Sequence, residues 1–268
     1  MPSLGIGSDM LRDLTTELLR HILKAGGFII YGGDLRKEGF TELFRELSNQ
    51  YGQCEKKQQD VFYFSNYLAW PLYNNMGLSE KEEYKKCRVE LIEVSPSDAV
   101  PKEAEKEFSA PITDEIRYML ATSLTKMRMC EEDKAVARIL VGGRTSGFTG
   151  RMAGIVEEFI IAKEKNHPIY LIGGFGGAAK VLVDIIEKKD GVCSDTLKQK
   201  ALSDDKYRAL YEYYESKGQH IDYTGLNNMT FTQLDNGLTE EENKRLFHSV
   251  NVMEIVSLVL KGLQNKLK

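Results

Sequence analysis

The sequence predicts a Rossmann-like α/β fold: a doubly wound, mostly parallel sheet with helices on both faces and a helical C-terminal extension. Short apolar segments typical of buried strands alternate with longer segments of helical periodicity. Two strands, 137–141 and 169–172, each run into a glycine-rich loop that a helix follows. This order is typical of parallel βαβ units. Because no Pro/Ser-rich linker or low-complexity stretch divides the 268 residues, we predict one domain over 1–268, with its ligand-binding half at 138–190.

The N-terminal half is predicted to begin with an amphipathic helix over 11–24, which Gly26-Gly27 ends in a tight turn. A second helix is predicted over 41–51, and a Lys/Glu-rich patch over 80–88 indicates a solvated helix face. Apolar runs between these segments predict strands over 28–31, 61–67 and 89–94. The first of these strands runs directly into Gly32-Gly33-Asp34.

The C-terminal half is predicted to begin with a long helix over 116–129. Around the strands at 137–141 and 169–172, helical patterns predict helices over 152–165 and 178–188. The polar tail from Ser203 is predicted to be helical, with packing aromatics at Tyr207, Tyr211, Tyr213 and Tyr214. A capping box at 239–242 starts another helix, and 252–263 gives a final amphipathic helix.

Composition limits the classes of function. A formal net charge of −4 and a pI near 5.7 argue against a nucleic-acid polymer as partner, because phosphate-backbone binding needs a concentrated basic face. No signal-peptide pattern opens the chain, and no apolar run approaches the roughly 20 residues of a membrane helix. The four cysteines are widely spaced and form no CxxC or Cys/His cluster, which favours reduced thiols. We therefore expect a cytoplasmic protein with no membrane contact.

The glycine loops are the predicted ligand site. Backbone amides at a helix start bind anionic oxygens well, and glycine lets a phosphate or ribose approach the chain. Loops at the carboxyl ends of parallel strands converge on one crevice. The alternative is that each glycine pair is only a tight turn. The ligand contacts predicted from these loops are Gly32, Gly33, Gly142, Gly143, Gly147, Gly150, Gly173, Gly174, Phe175, Gly176 and Gly177.

Side chains in the first of the two C-terminal loops add phosphate-binding chemistry. Arg144 follows Gly142-Gly143 directly and can offer a bidentate guanidinium, and Arg151 adds a second cation. Ser146 supplies a hydroxyl, as do Thr145 and Thr149. Each arginine has the alternative interpretation of an ordinary surface residue.

Three acidic residues have a ligand interpretation beside a structural one. Glu157-Glu158 lie in the helix after the loop and form either a solvated helix face or, through Glu158, a ribose or base contact. Asp34 has a similar ribose-type role available. The sequence shows no catalytic constellation, Walker lysine motif, nucleophile elbow or metal-ligand spacing, so we predict no cofactor, no metal site and no assigned catalytic residue.

These residues resemble the SLOG superfamily. The segments Val141-Gly-Gly-Arg-Thr-Ser-Gly-Phe-Thr-Gly-Arg-Met-Ala-Gly154 and Ile172-Gly-Gly-Phe-Gly-Gly177 look like its two glycine loops. That group includes the Lonely Guy phosphoribohydrolases, the DNA-processing protein DprA, and nucleotide-sensor domains of TRPM channels and bacterial Thoeris defence proteins. The pieces Tyr31-Gly-Gly-Asp-Leu-Arg36, Asn66-Tyr-Leu-Ala-Trp-Pro71 and Asn236-Gly-Leu-Thr-Glu-Glu-Glu-Asn243 look like a bacterial sensor branch.

The sequence departs from the hydrolase branch of the superfamily at its catalytic motif. That branch has PGGxGTxxE, in which the final glutamate is catalytic. Here Ile172 replaces the proline, Gly177 the threonine and Lys180 the glutamate, which removes the catalytic group and adds attraction for phosphate. The family fold also opens with an apolar strand, for which 1–4 is too short and polar. Either the first strand has been trimmed from this sequence or the protein does not have it. The assignment of the first loop to Gly5, Gly7 and Ser8 is correspondingly weak.

The resemblance implies a sensor of a nucleotide or NAD-derived signal of the ADP-ribose type, in antiviral defence. Arg144, Arg151 and Lys180 would be phosphate-side contacts, and Asp34 and Glu158 ribose or base contacts. One alternative is a nucleotide N-glycosidase in which Glu157 or Glu158, of which we favour Glu158, replaces the lost glutamate. A second is an assembly module that uses the tyrosine-rich helix and the final helix as its interface. We expect a small nucleotide as ligand and a homo-oligomer, and a longer natural chain could carry an effector domain.

Overall fold

The computed structural model describes residues 8–33, 35, 39–54, 61–104 and 113–267. Within them, five strands form two parallel sheets. One sheet has the order β1-β2-β3, and the other pairs β4 with β5. The strands are β1 (Ile29–Tyr31), β2 (Phe64–Leu68), β3 (Val89–Glu93), β4 (Arg138–Val141) and β5 (Ile169–Ile172). Parallel strands separated by helices confirm the predicted Rossmann-like α/β fold.

Ten α-helices lie in the described part of the chain, and the predicted ones are found close to their expected positions. They are α1 (Ser8–Lys24), α2 (Phe40–Cys54), α3 (Leu78–Lys86), α4 (Asp114–Glu132), α5 (Gly154–Glu164), α6 (Gly177–Ile186), α7 (Ser194–Leu202), α8 (Asp205–Ser216), α9 (Glu240–His248) and α10 (Val252–Lys266). None of the described helices is long and apolar enough to cross a membrane.

The β1-β2-β3 sheet is covered on both faces, as alternation along its strands requires. On one face, Tyr31 and Phe64 pack with residues of α2 and with Leu19 of α1. On the other face, Ile30 and Tyr67 pack against α4. The register aligns Ile29 with Phe64, and Phe64 with Val89, so that both faces are continuous across the three strands.

The β4-β5 sheet is likewise buried on both faces. Leu140 and Leu171 point into a cluster with α4, α5 and α6, whereas Tyr170 and Ile172 point to the opposite face, toward α1 and α10. Because α1 and α4 each contribute to clusters on both sheets, these two helices join the sheets on opposite faces. The glycine-rich loops that follow β4 and β5 are thereby fixed on a rigid support.

The C-terminal extension packs onto this support. Tyr207 and Tyr214 of α8 are 2% and 1% exposed, which confirms that they are packing aromatics. Since both lie in the core of their own chain, they are not available to the interface that the assembly alternative assigned to this helix. Asn236 ties the extension to β5 by donating from Nδ2 to the Ile169 carbonyl oxygen at 2.8 Å.

Candidate functional site

The loop that follows β4 (142–153, the β4 loop) and the loop that follows β5 (173–176, the β5 loop) lie in direct contact. A Cβ added at Gly177 would lie 2.3 Å from the carbonyl oxygen of Gly143, closer than real side chains approach. Gly177 also has a φ of +69°, in the region that favours glycine. The amides of Ala178 and Ala179, at the start of α6, donate to the carbonyl oxygens of Gly143 and Gly142 at 3.0 and 2.9 Å. These helix-start amides therefore join the two loops and are not open to an anion.

The remaining glycines of the β5 loop pack against the C-terminal extension. Added Cβ atoms at Gly173 and Gly174 would lie 2.8 Å from the Phe247 carbonyl oxygen and 2.2 Å from that of Ser249. Phe175, between Gly174 and Gly176, is 1% exposed and lies in the cluster of β5, α1 and α10. Only the backbone of Phe175 can therefore face a ligand in this arrangement.

The β4 loop presents the accessible cationic surface of the predicted site. Arg144 is exposed, and its Nη1 donates to the carbonyl oxygen of Gly147 at 3.3 Å. Ser146 and Gly147 are exposed beside it. Gly150, at the end of the loop, is buried, and an added Cβ there would lie 3.0 Å from Nη1 of Arg128. The loop is thus open around 144–147 and closed at Gly150.

Arg151 is held from below by Glu157. Its Nε donates to Oε1 of Glu157 at 3.1 Å, and 33% of the arginine side chain remains exposed. Glu157 is 0% exposed and also accepts hydrogen bonds from Arg128 and from Thr125, the latter at 2.7 Å. The interpretation of Glu157 as part of a solvated helix face is wrong, because two guanidinium groups and a hydroxyl compensate its burial.

A network of charges lies beneath the β4 loop. Arg138, at the start of β4, pairs with Glu132, with Glu131 at 3.5 Å and with Glu158 at 3.6 Å. Glu158 also lies 3.7 Å from Arg128, which links these pairs to Glu157 and Arg151. We name this set the buried charge cluster: Arg128, Glu131, Glu132, Arg138, Arg151, Glu157 and Glu158. Burial raises the pKa of Glu131 to about 8, although Arg138 acts in the opposite direction.

The Gly32-Gly33 loop meets this cluster at Glu131. An added Cβ at Gly32 would lie 1.8 Å from Oε1 of Glu131, and one at Gly33 would lie 2.4 Å from Oγ1 of Thr41. The Gly33 amide donates to Oδ1 of Asn66 at 3.3 Å. Among the described residues, Oε1 of Glu131, Oγ1 of Thr41 and Nδ2 of Asn66 are buried without a hydrogen-bond partner. Three polar side chains with unused hydrogen-bonding capacity therefore surround this loop.

The sequence family described as SLOG cluster2 matches residues 1–246. The chain belongs to this family. The match confirms the SLOG resemblance that the glycine loops indicated and supports a nucleotide-related function for the chain. It ends within α9, so that α10 lies beyond it. A search of curated proteins found no match.

Two further predicted ligand contacts are Lys180 and Asp34, of which the structure describes only Lys180. Lys180, at the position of the hydrolase glutamate, lies in the first turn of α6 and pairs with Asp184 one turn later. The Asp184 carboxylate also lies 3.6 Å from Lys189, so the Lys180 ammonium already has a shared counter-ion. Asp34 lies outside the described residues, as do Gly5 and Gly7, and Ser8 is the first residue of α1.

The sequence also held signals for residues that we did not predict. Arg138 is a charged residue at the start of a buried strand, and a charge in that position requires acidic partners. Glu131 and Glu132, which end the preceding helix, are those partners. Asn66 is a polar residue inside the buried strand β2 and is 0% exposed. A polar residue such as Asn66 stands out in the sequence only once the strand that contains it is predicted to be buried.

Proposed function

We propose that this SLOG domain is a sensor that binds a nucleotide or NAD-derived small signalling molecule of the ADP-ribose type. The observation that supports the proposal most is that two arginines of the β4 loop reach the surface: Arg144 is exposed beside Gly147, and 33% of the Arg151 side chain is exposed. Guanidinium groups on a glycine-rich loop suit a phosphate, because each can offer two parallel hydrogen bonds.

Arg151 suits phosphate binding in particular. Its Nε donates to Glu157, which fixes the plane of the guanidinium, and neither Nη group makes a hydrogen bond to any residue that the structure describes. Glu157 is shared between Arg151 and Arg128, and Arg128 in turn lies 3.7 Å from Glu158. The cationic groups that reach the surface for a ligand are therefore Arg144 and the exposed part of Arg151. Lys180 is a weaker phosphate contact, because its ammonium must first leave Asp184.

A sensor fits this site better than a nucleotide N-glycosidase. That reaction needs a carboxylate free to act beside the ribose, and the position of the family's catalytic glutamate holds Lys180. Glu158, the replacement candidate, lies 3.6 Å from Arg138 and 3.7 Å from Arg128. Its carboxylate is therefore engaged by two guanidinium groups and is not free beside a ribose. Signalling in antiviral defence is the biological setting that we propose for the sensor.

Isothermal calorimetry with ADP-ribose, its cyclic forms, NAD and nucleoside monophosphates tests this proposal. We expect at least one phosphate-bearing member to bind with unit stoichiometry, and mass photometry with and without that ligand to show a ligand-dependent change in assembly. If none of these molecules binds, the proposal is wrong. If free base accumulates, and does not with Glu158→Gln, the chain is a hydrolase instead.

A further inference from the structure

Helix α8, in the C-terminal extension, packs directly against the β4 loop. The hydroxyl of Tyr207 donates to the carbonyl oxygen of Arg151 at 2.6 Å. The Phe148 ring packs edge-on against the Tyr207 ring, with 4.6 Å between centroids. A Cβ added at Gly147 would lie 3.8 Å from Oδ2 of Asp204, the N-cap of α8. The helix therefore contacts the loop at its middle and at its end.

The direction of the hydrogen bonds around Tyr207 follows from their geometry. Because its only hydroxyl hydrogen goes to the Arg151 carbonyl, the hydroxyl of Tyr223, 3.1 Å away, must donate to Tyr207. Burial raises the pKa of both phenols, that of Tyr223 to about 12, so that both remain protonated donors at neutral pH. A one-way chain thus runs from Tyr223 through Tyr207 to the backbone of Arg151.

Arg151 is consequently fixed at two points from two different elements. Tyr207 holds its carbonyl group from α8, and Glu157 holds its Nε from α5. Bidentate binding of phosphate depends on the orientation of the planar guanidinium, and a residue whose backbone is free to rotate loses that orientation.

We propose that Tyr207 is a positioning residue for Arg151, so that the helical extension completes the phosphate side of the ligand site. This inference rests on the proposed function, in which Arg151 contacts phosphate. It assigns to α8 a role that neither the glycine loops nor the family match assigns: the helix orients a ligand contact.

The test compares three tyrosine-to-phenylalanine changes by calorimetry with AMP and ADP-ribose. Tyr207→Phe removes the hydroxyl while keeping the ring contact with Phe148, and should weaken binding about five- to tenfold, the effect of one buried hydrogen bond. Tyr223→Phe leaves the bond from Tyr207 to Arg151 in place and should weaken binding less than threefold. Tyr213→Phe is the matched control, because its half-buried ring packs on Tyr118 of α4, and should have no effect.

A double-mutant cycle separates positioning from general destabilisation. In the Arg151→Ala background, Tyr207→Phe should change the affinity for AMP less than twofold, because the side chain that it orients is gone. An equal loss in both backgrounds, or no loss in the wild-type background, would overturn the inference. If the wild-type chain binds neither AMP nor ADP-ribose, the proposed function fails and the inference fails with it. Thermal unfolding of each variant verifies that the protein is folded.

Discussion

The raised pKa of Glu131 makes the stability of the buried charge cluster depend on pH. The cluster contains four glutamates and three arginines, and the His167 ring lies 2.7 Å from Glu132 at its border. Burial raises the pKa of Glu131, the neighbouring Glu158 and Glu132 act in the same direction, and Arg138 and Arg128 oppose them. Oε1 of Glu131 has no hydrogen-bond partner among the described residues. Substituting Glu131→Gln keeps the shape of the neutral acid and removes the titration.

The sign and size of the effect follow from proton linkage. The pKa of Glu131 is raised from 4.5 to about 8 on folding, so between these values the unfolded chain is ionised and the folded chain is not. The stabilisation from the neutral folded form is fully present below pH 4.5 and is lost as pH rises through 8. At about 1.36 kcal/mol per pH unit, the loss between pH 5 and pH 7 amounts to about 2 to 3 kcal/mol.

Urea unfolding at pH 5, 6, 7 and 8 measures this loss. We expect the free energy of unfolding of Glu131→Gln, relative to wild type, to rise by about 2 to 3 kcal/mol from pH 5 to pH 7. Glu115→Gln, an exposed change on the same helix, should follow the wild-type curve. If the Glu131→Gln and wild-type curves run parallel, Glu131 is ionised in the folded protein and burial does not keep it neutral.

Two further predictions concern the packing around the site. Gly177→Ala should destabilise the protein by about 2 kcal/mol more than Gly191→Ala, because both have positive φ but only Gly177 meets backbone, at 2.3 Å. Similar denaturation midpoints for the two variants would contradict the loop-to-loop contact. Tyr214→Phe should leave stability unchanged or raise it by up to about 1 kcal/mol, since its buried hydroxyl has no hydrogen-bond partner in the part of the chain that the structure describes. Tyr170→Phe should instead lower the free energy of unfolding by about 1 kcal/mol, because the Tyr170 hydroxyl donates to the carbonyl oxygen of Asn236. A larger loss of stability for Tyr214→Phe than for Tyr170→Phe would contradict this reasoning.

The strands and most helices could be predicted because burial leaves a clear pattern in the sequence. Buried parallel strands are short and almost continuously apolar, as at Ile169–Ile172, and the helices between them alternate apolar and polar faces. Helix α7 was not predicted, since Ser194–Leu202 begins with polar residues and has little apolar periodicity. Its start depends on a local capping arrangement between Cys193 and Thr196.

The site was harder to predict than the fold, for a physical reason. A glycine pattern shows that a backbone must come close to something, but not to what: Gly177 approaches Gly143, and Gly174 approaches Ser249, within the same chain. Glu157 gave the same signal as a surface glutamate, because its burial depends on Arg128, which is distant in sequence. Long-range pairing of this kind is a property of the fold and leaves no periodic pattern.

In the proposed function, the β4 loop binds the phosphate groups of a nucleotide through its arginines. Calorimetric titration of ADP-ribose into wild type, Arg144→Ala, Arg151→Ala and Arg208→Ala tests this most directly, where Arg208 is an exposed arginine of α8 that pairs with Asp205. We predict that each loop variant weakens binding by about tenfold or more, as expected for a lost charge-assisted hydrogen bond, and that Arg208→Ala binds like wild type. Wild-type affinity in both loop variants would contradict the claim.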